Sequence, residues 1–305
     1  MTDAPAGAVG RRPDDVRPVE GTGRTAVAVV GSANLDLIAG VRTAPTPGET
    51  VLATRYEEEV GGKGVNQAVA AARTAPTALV ASVGADPEGA RIRAHARSRG
   101  VDVSEVRDAA ERTGRALITL FEQDNVIVVA PLANAALTAE AVEAALTRLG
   151  PAVVLTQFEI PEEAVRAAAL WCRRSGARLL INPSPVRPVP EEVLALADPL
   201  LVNLGEATAL AGADPDPGRL AALLARRARS VVVTTGPGGA WVATGGNARH
   251  IPVPERVEAV DTSGAGDAFA GHLAAALATG ADLDTAVAAG VAVATRLVAT
   301  PREQR

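Results

Sequence analysis

Residues 261–267, Asp-Thr-Ser-Gly-Ala-Gly-Asp, set an acid directly after a glycine-rich turn that runs into the apolar stretch Ala268 to Leu277. Such a turn can aim several backbone N–H groups at one anion, and the start of the following helix adds its partial positive charge. A carboxylate there can take the proton of an alcohol. Together the parts suit phosphoryl transfer to a hydroxyl, where the moving phosphoryl needs preorganised donors and the attacking oxygen needs a proton acceptor within reach. Glycine-rich turns also precede many helices for purely structural reasons. A second feature is therefore needed. Upstream, Gly61-Gly62-Lys63-Gly64-Val65-Asn66-Gln67 again sets glycines before a small-residue helix. It lacks the spacer and the Lys-Ser/Thr ending of a Walker A loop, and the Gly-x-Gly-x-x-Gly spacing of a Rossmann turn.

An acceptor with vicinal hydroxyls calls for a carboxylate, which can accept two hydrogen bonds at once. Asp36 is the first candidate, read as following the first strand at its carboxyl end; a turn aspartate is the bland alternative.

Four segments carry a resemblance: Gly31-Ser32-Ala33-Asn34-Leu35-Asp36, residues 45–50 (Pro-Thr-Pro-Gly-Glu-Thr), residues 61–68 (Gly-Gly-Lys-Gly-Val-Asn-Gln-Ala) and residues 261–267. Their order and spacing resemble the ribokinase family of sugar kinases from about Val27 to Arg296. The Gly-Gly-Lys-Gly-x-Asn-Gln form is more similar to its ribokinase branch than to the fructokinase, adenosine kinase or phosphofructokinase branches. The resemblance implies ATP-dependent phosphorylation of D-ribose at O5, with a related sugar or nucleoside kinase as the alternative. Asp267 would be the base, and the N–H groups of Gly264, Ala265 and Gly266 the anion hole. Asn34, Asp36, Gly62, Lys63, Gly64, Asn66 and Glu159 carry over as sugar contacts. From its position alone, Glu159 reads as a charge at a helix N-terminus. A sugar-binding protein without catalysis is the third class, and the intact Asp267 turn stands against it.

For the nucleotide, the resemblance points to Asn203 and Glu206, which organise magnesium and phosphates, and to Thr234, Gly236 and Gly239 in a nucleotide loop, with Gly266 also at the phosphates. Standing alone, that loop also reads as a hairpin turn. Asn182-Pro183-Ser184-Pro185 is taken to shape a loop near the site. A potassium site is implied at Asp261, Ser263 and Arg296, but Val298 stands where the family usually has glycine and Arg302 where it has serine. Loss of a hydroxyl and gain of an arginine would weaken cation binding, or the arginine could replace the cation's charge. The chain stops at Arg305, which is expected to leave part of the adenine pocket open.

Composition narrows the classes further. The net charge of −5, from 35 acids against 30 bases, gives no basic footprint for nucleic acid. Three Phe, two Trp and one Tyr leave little for base stacking. The single cysteine, Cys172, excludes an internal disulfide framework and reads as inert helix packing. His95, His250 and His272 lack ligand spacing. Residues 1–25 read as a disordered tail rich in Pro, Gly, Asp and Arg, without the apolar run of a signal peptide. No apolar run reaches membrane length. A cytoplasmic enzyme without nucleic-acid or membrane partners is expected.

Strand and helix patterns alternate. Predicted strands are Ala26–Val30, Ala78–Val83, Ala152–Gln157, Arg178–Asn182, Leu200–Asn203 and Ser230–Thr235, with a hairpin from Gly239 to Val253. Predicted helices are Gln67–Arg73, Glu88–Arg99, Pro161–Ser175, Glu191–Leu196, Glu206–Ala211 and Gly218–Ala228. This alternation argues for one α/β domain over residues 26–305, a mostly parallel sheet covered by helices on both faces. Glu49–Val60 and Arg115–Ala130 alternate apolar and polar residues instead, as antiparallel strands with one wet face do. In the ribokinase-like fold such segments, here about 42–60 and 113–131, form a small antiparallel lid over the sugar that pairs with the lid of a second subunit. A homodimer is implied on that ground alone.

Overall fold

The computed structural model describes residues 25–121 and 124–301. The expected tail as far as Arg24, and Arg302 beside the expected cation site, lie outside them. Along the chain, β1 (Val27–Val30), β2 (Asn34–Val41) and β3 (Arg55–Gly61) lead into α1 (Lys63–Ala72). Then come β4 (Thr77–Gly84), α2 (Pro87–Ser98), β5 (Val101–Asp102), β6 (Val106–Ala109), β7 (Gly114–Phe121) and β8 (Asp124–Ala130). A 3-10 turn (Leu132–Ala136) precedes α3 (Ala139–Leu149), β9 (Val153–Gln157), α4 (Glu162–Ser175), β10 (Arg178–Asn182) and α5 (Glu191–Leu194). The remainder is β11 (Ala197–Asn203), α6 (Leu204–Ala211), α7 (Pro217–Leu224), β12 (Ser230–Thr234), β13 (Ala240–Thr244), β14 (Asn247–Ile251), α8 (Ala265–Ala278) and α9 (Leu283–Val298).

The large sheet has ten strands in the order β14-β13-β12-β11-β10-β9-β1-β4-β5, with β6 also beside β4. From β12 to β5 neighbouring strands run parallel, and only β12-β13-β14 pair antiparallel. Continuous apolar runs such as Val27–Val30 suit this sheet because both faces are covered. Alternate residues of β1 enter different cores. Ala28 and Val30 pack with α3, α4 and α7, whereas Val27 and Val29 pack with α1, α2, α8 and α9. Truncating a fully buried leucine such as Leu155 to alanine in a layer this closed costs about 2–5 kcal/mol.

In-register pairing brings the carboxyl ends of the parallel strands into one row. Val30 lies beside Thr156, Gln157 beside Asn182, and Asn203 beside Thr234. Ligands of such sheets bind above that row.

A second sheet, β3-β2-β7-β8, stands apart from the first. β2 and β7 are parallel, and the other pairs are antiparallel. Here the structure corrects two expectations. Asp36 is not in a turn after the first strand but inside β2, paired with Glu59 and Ala116. The lid therefore begins at Asn34 rather than near residue 42, and residues 42–54 contain no strand. Helix α1 also starts earlier than read, at Lys63, because Gly62 (φ 88°) turns the chain in the left-handed region that glycine tolerates. β5, β6 and α3 were not anticipated.

Candidate active site

One side of the site is built around Ser32 and the start of α1. Gly64 packs so tightly that a Cβ there would come within 2.6 Å of the Ser32 nitrogen and 2.5 Å of its carbonyl oxygen. That approach lets the N–H groups of Gly64 and Val65 donate to the Ser32 hydroxyl (3.3 Å) and carbonyl (3.1 Å). The same hydroxyl donates to Glu159 Oε2 at 2.5 Å, which also accepts from Lys63 N–H (3.3 Å) and Asn34 Nδ2 (3.4 Å). Glu159 thus ties three segments together and lies ahead of α4, so it is not a first-turn helix charge. Asn34 is buried, and its Oδ1 accepts from Asn134 Nδ2 at 2.7 Å. Asn134 in turn accepts from Ala33 N–H at 2.8 Å, which closes a ring of bonds under the lid. On β3, a Cβ at Gly61 would lie 2.1 Å from Asp36 Oδ2, so glycine is what leaves room for that carboxylate. The structure gathers Asn34, Asp36, Gly62, Lys63, Gly64 and Glu159 into one carboxylate-lined cup.

The carboxylate expected to act as the base, Asp267, stands at the next turn along. Helix α8 begins at Ala265 behind Gly264, whose φ of 75° is left-handed. Asp267 occupies the first turn, where backbone N–H groups have no intrahelical acceptor. The Ala265 N–H is turned onto the Thr262 carbonyl at 3.3 Å, so Gly264 and Gly266 carry more of the expected anion hole than Ala265 does. Asp267 is half-buried and accepts two side-chain bonds from α1: Gln67 Nε2 to Oδ1 at 2.9 Å and Asn66 Nδ2 to Oδ2 at 3.3 Å. Gly271 permits this meeting of helices, since a Cβ there would sit 2.5 Å from the Gln67 carbonyl oxygen.

On the far side of the turn, a cavity of about 540 Å³ opens between Thr234, Gly236 and Gly239 on one wall and Ala265, Gly266 and Thr295 on another. Its mostly apolar lining, with Gly266 at one end, suits a planar heterocycle whose phosphates run to the helix N-terminus. Gly236 (φ 57°) and Gly239 (φ 86°) form the loop, and a Cβ on Gly239 would strike the Ile251 carbonyl oxygen at 2.3 Å. Thr234 donates to the Val202 carbonyl at 3.4 Å. Asn203 and Glu206 form a reciprocal capping box on α6, with bonds of 2.8 and 2.9 Å.

A carboxylate on a helix N-terminus, between a carboxylate-lined cup and an apolar cavity, is an arrangement for moving phosphate. The description "pfkB family carbohydrate kinase" matches residues 24–304. The chain belongs to this family. It is 36% identical over 265 residues to the ribokinase of Bacillus subtilis, covering 86% of this chain and 88% of that protein. It is also 36% identical over 275 residues to the mouse ribokinase, covering 86% of this chain and 84% of that protein. The structure of Arabidopsis thaliana ribokinase complexed with ribose and ATP superposes with a TM-score of 0.81 at 27% identity, over 91% of this chain and 94% of that one.

The two cations linked to pfkB kinases fit this chain differently. Among the described residues no three His, Cys, Asp or Glu side chains cluster as a metal cage. Magnesium needs few protein ligands when substrate phosphates supply the rest. Glu206, with Oε2 committed to the cap, suits an outer, water-mediated role toward it. The potassium residues fit poorly. Arg296 lies inside α9 rather than in a loop, and its carbonyl accepts the Thr300 hydroxyl at 2.9 Å. The Val298 carbonyl already accepts from Val260 and Asp261 N–H (2.8 and 3.2 Å), and Asp261 Oδ1 accepts from Ser263 N–H at 2.8 Å.

Sequence reasoning missed Ser32, Asn134 and Gln157 and gave Asn182 only a loop-shaping role. A polar pair, Thr156-Gln157, at the end of an otherwise apolar strand was the available signal. Cys172 is inert as expected, since burial pushes its thiol up to about 12. Among the described residues no helix is long and apolar enough to cross a membrane.

Proposed function

We propose that this chain transfers the γ-phosphoryl group of ATP to the O5 hydroxyl of D-ribose. The observation that carries the reading is the bonding of Asp267 to Asn66 and Gln67, which holds a carboxylate where the sugar cup meets the anion-binding start of α8. Asp36, Asn34 and Glu159 hold the ribose hydroxyls and exclude water as the lid closes over them. The O5 proton passes to Asp267 as the O5–phosphorus bond forms and the bond from phosphorus to the β,γ-bridging oxygen breaks, releasing ADP. The N–H groups of Gly264 and Gly266 stabilise the charge that gathers on the moving group. Thr234, Gly236 and Gly239 border the base. Asn203 and Glu206 would hold magnesium through waters, and the bound ion would neutralise the charge of the phosphates.

The lid supports a homodimer in the same reading. Tyr56, Leu117, Val126 and Val128 are at least half exposed, and their registers put them on one face of the small sheet. Asp36 points to the other face, because neighbours along a strand alternate. An apolar face of this kind marks an interaction surface, and a second copy of the lid matches it. A need for ATP fits action in the cytoplasm.

ADP release measured over ribose, 2-deoxyribose, fructose and nucleosides tests the assignment. Ribose is expected to give the highest kcat/KM. Absence of any sugar-dependent release, or preference for a nucleoside, would overturn it.

A further inference from the structure

Behind Asp267 runs a line of side-chain amides that lie outside the lining of the cavity. Gln67 is fully buried, and its Nε2 donates both to Asp267 Oδ1 (2.9 Å) and to Asn182 Oδ1 (3.2 Å). Its Oε1 accepts from Nε2 of the equally buried Gln157 at 2.6 Å. Asn182 spends its own Nδ2 on the Leu201 carbonyl at 3.1 Å. The polarity of the whole line is dictated by its ends. A carboxylate and a backbone carbonyl only accept, so Gln67 must present nitrogen to Asp267, Gln157 must present nitrogen to Gln67, and Asn182 must present oxygen. A flipped Gln67 would set its oxygen against the carboxylate.

This order is kept at a cost in hydrogen bonding. Gln157 Oε1 is buried without a hydrogen-bond partner, a penalty of the kind an apolar residue in the same strand would avoid. The Asp267 oxygens also differ. Oδ1 has the shorter bond, to a donor locked inside the core, while Oδ2 has a longer one to the half-buried Asn66.

We infer that Gln67 is a positioning residue for the transfer: it anchors Asp267 Oδ1, with Gln157 and Asn182 fixing its amide, so that Oδ2 is the oxygen that takes the O5 proton. The inference rests on the phosphotransfer reading above. Anchoring one oxygen sets the rotation of the carboxylate, and with it the line from Oδ2 to the attacking hydroxyl.

The test compares Gln67→Leu, Gln67→Glu, Gln157→Leu and the Gln67→Leu/Gln157→Leu pair by kcat, both KM values and the pH profile of kcat, with ATP affinity as a check of folding. Gln67→Leu is expected to lower kcat about 100-fold, as a reacting group misplaced by about 1 Å does, with the KM for ATP unchanged. Gln157→Leu is expected to lose less, and the pair no more than Gln67→Leu alone, since both act through one amide. Gln67→Glu keeps the shape but faces Asp267 with a like charge, which disfavours ionisation of the base, so the acidic limb of the profile moves to higher pH. Its near-identical shape keeps the test open even if the leucine variant does not fold. Wild-type kcat in Gln67→Leu, an unmoved acidic limb in Gln67→Glu, or losses that multiply in the pair would overturn the positioning role. Failure of the unaltered chain to phosphorylate ribose would strike the underlying reading instead.

Discussion

At the scale of single residues, the site depends on places where a side chain is missing. Gly61 has only a hydrogen where any Cβ would meet the Asp36 carboxylate at 2.1 Å. Gly61→Ala should therefore displace Asp36 and raise the KM for ribose about 10- to 100-fold, the worth of a charged hydrogen bond, while the KM for ATP stays put. Steady-state kinetics with each substrate varied in turn separate the two. Gly64 and Gly271 make the same kind of room for Ser32 and for Gln67. Asn134 does the converse and fills a hole with donors, fixing Asn34 from below. None of these contacts can be read from spacing, because they join residues about 25 to 200 positions apart whose types are unremarkable alone.

At the scale of elements, the parallel strands were legible because β1, β9, β10 and β12 are continuous apolar runs of the length a doubly covered sheet requires. The two glycine-rich turns also stood out, and with them Asp267 and the sugar loop. β2 was hidden because its run of Asn34, Leu35, Asp36 and Leu37 starts only three residues after Gly31, which reads as the end of one strand rather than the bend into another. α3 carries ordinary signals, a Thr138 cap and a left-handed Gly150, and was legible in principle. β5 has two residues and lies beyond what periodicity can detect. The nucleotide loop shows how an element end depends on conformation. At Gly239 (φ 86°, ψ −135°) alanine would carry about 1–3 kcal/mol of backbone strain and also strike Ile251. Gly239→Ala should thus weaken ATP binding, measured by titration calorimetry, and leave ribose binding intact.

At the scale of the whole molecule, two sheets divide the labour. The large one aligns a row of strand ends beside the cavity, the proposed place of phosphate and base, and the small one supplies Asp36 on one face and an apolar surface on the other. If that surface is the dimer seam, lysines at the paired positions Leu117 and Val128 should convert the protein to monomer by sedimentation velocity. A wild-type protein that sediments as a monomer would remove the seam. Because β2 also carries Asp36, the monomeric variant should bind ribose more weakly.

The most direct measurement replaces Asp267 by asparagine and follows turnover and nucleotide binding together. Loss of the base should lower kcat about 10²- to 10⁴-fold while ATP binds as before, because the N–H groups at the start of α8 and the glycine loop are untouched. Turnover close to that of the unaltered protein would show that the carboxylate between cup and cavity is not what accepts the proton.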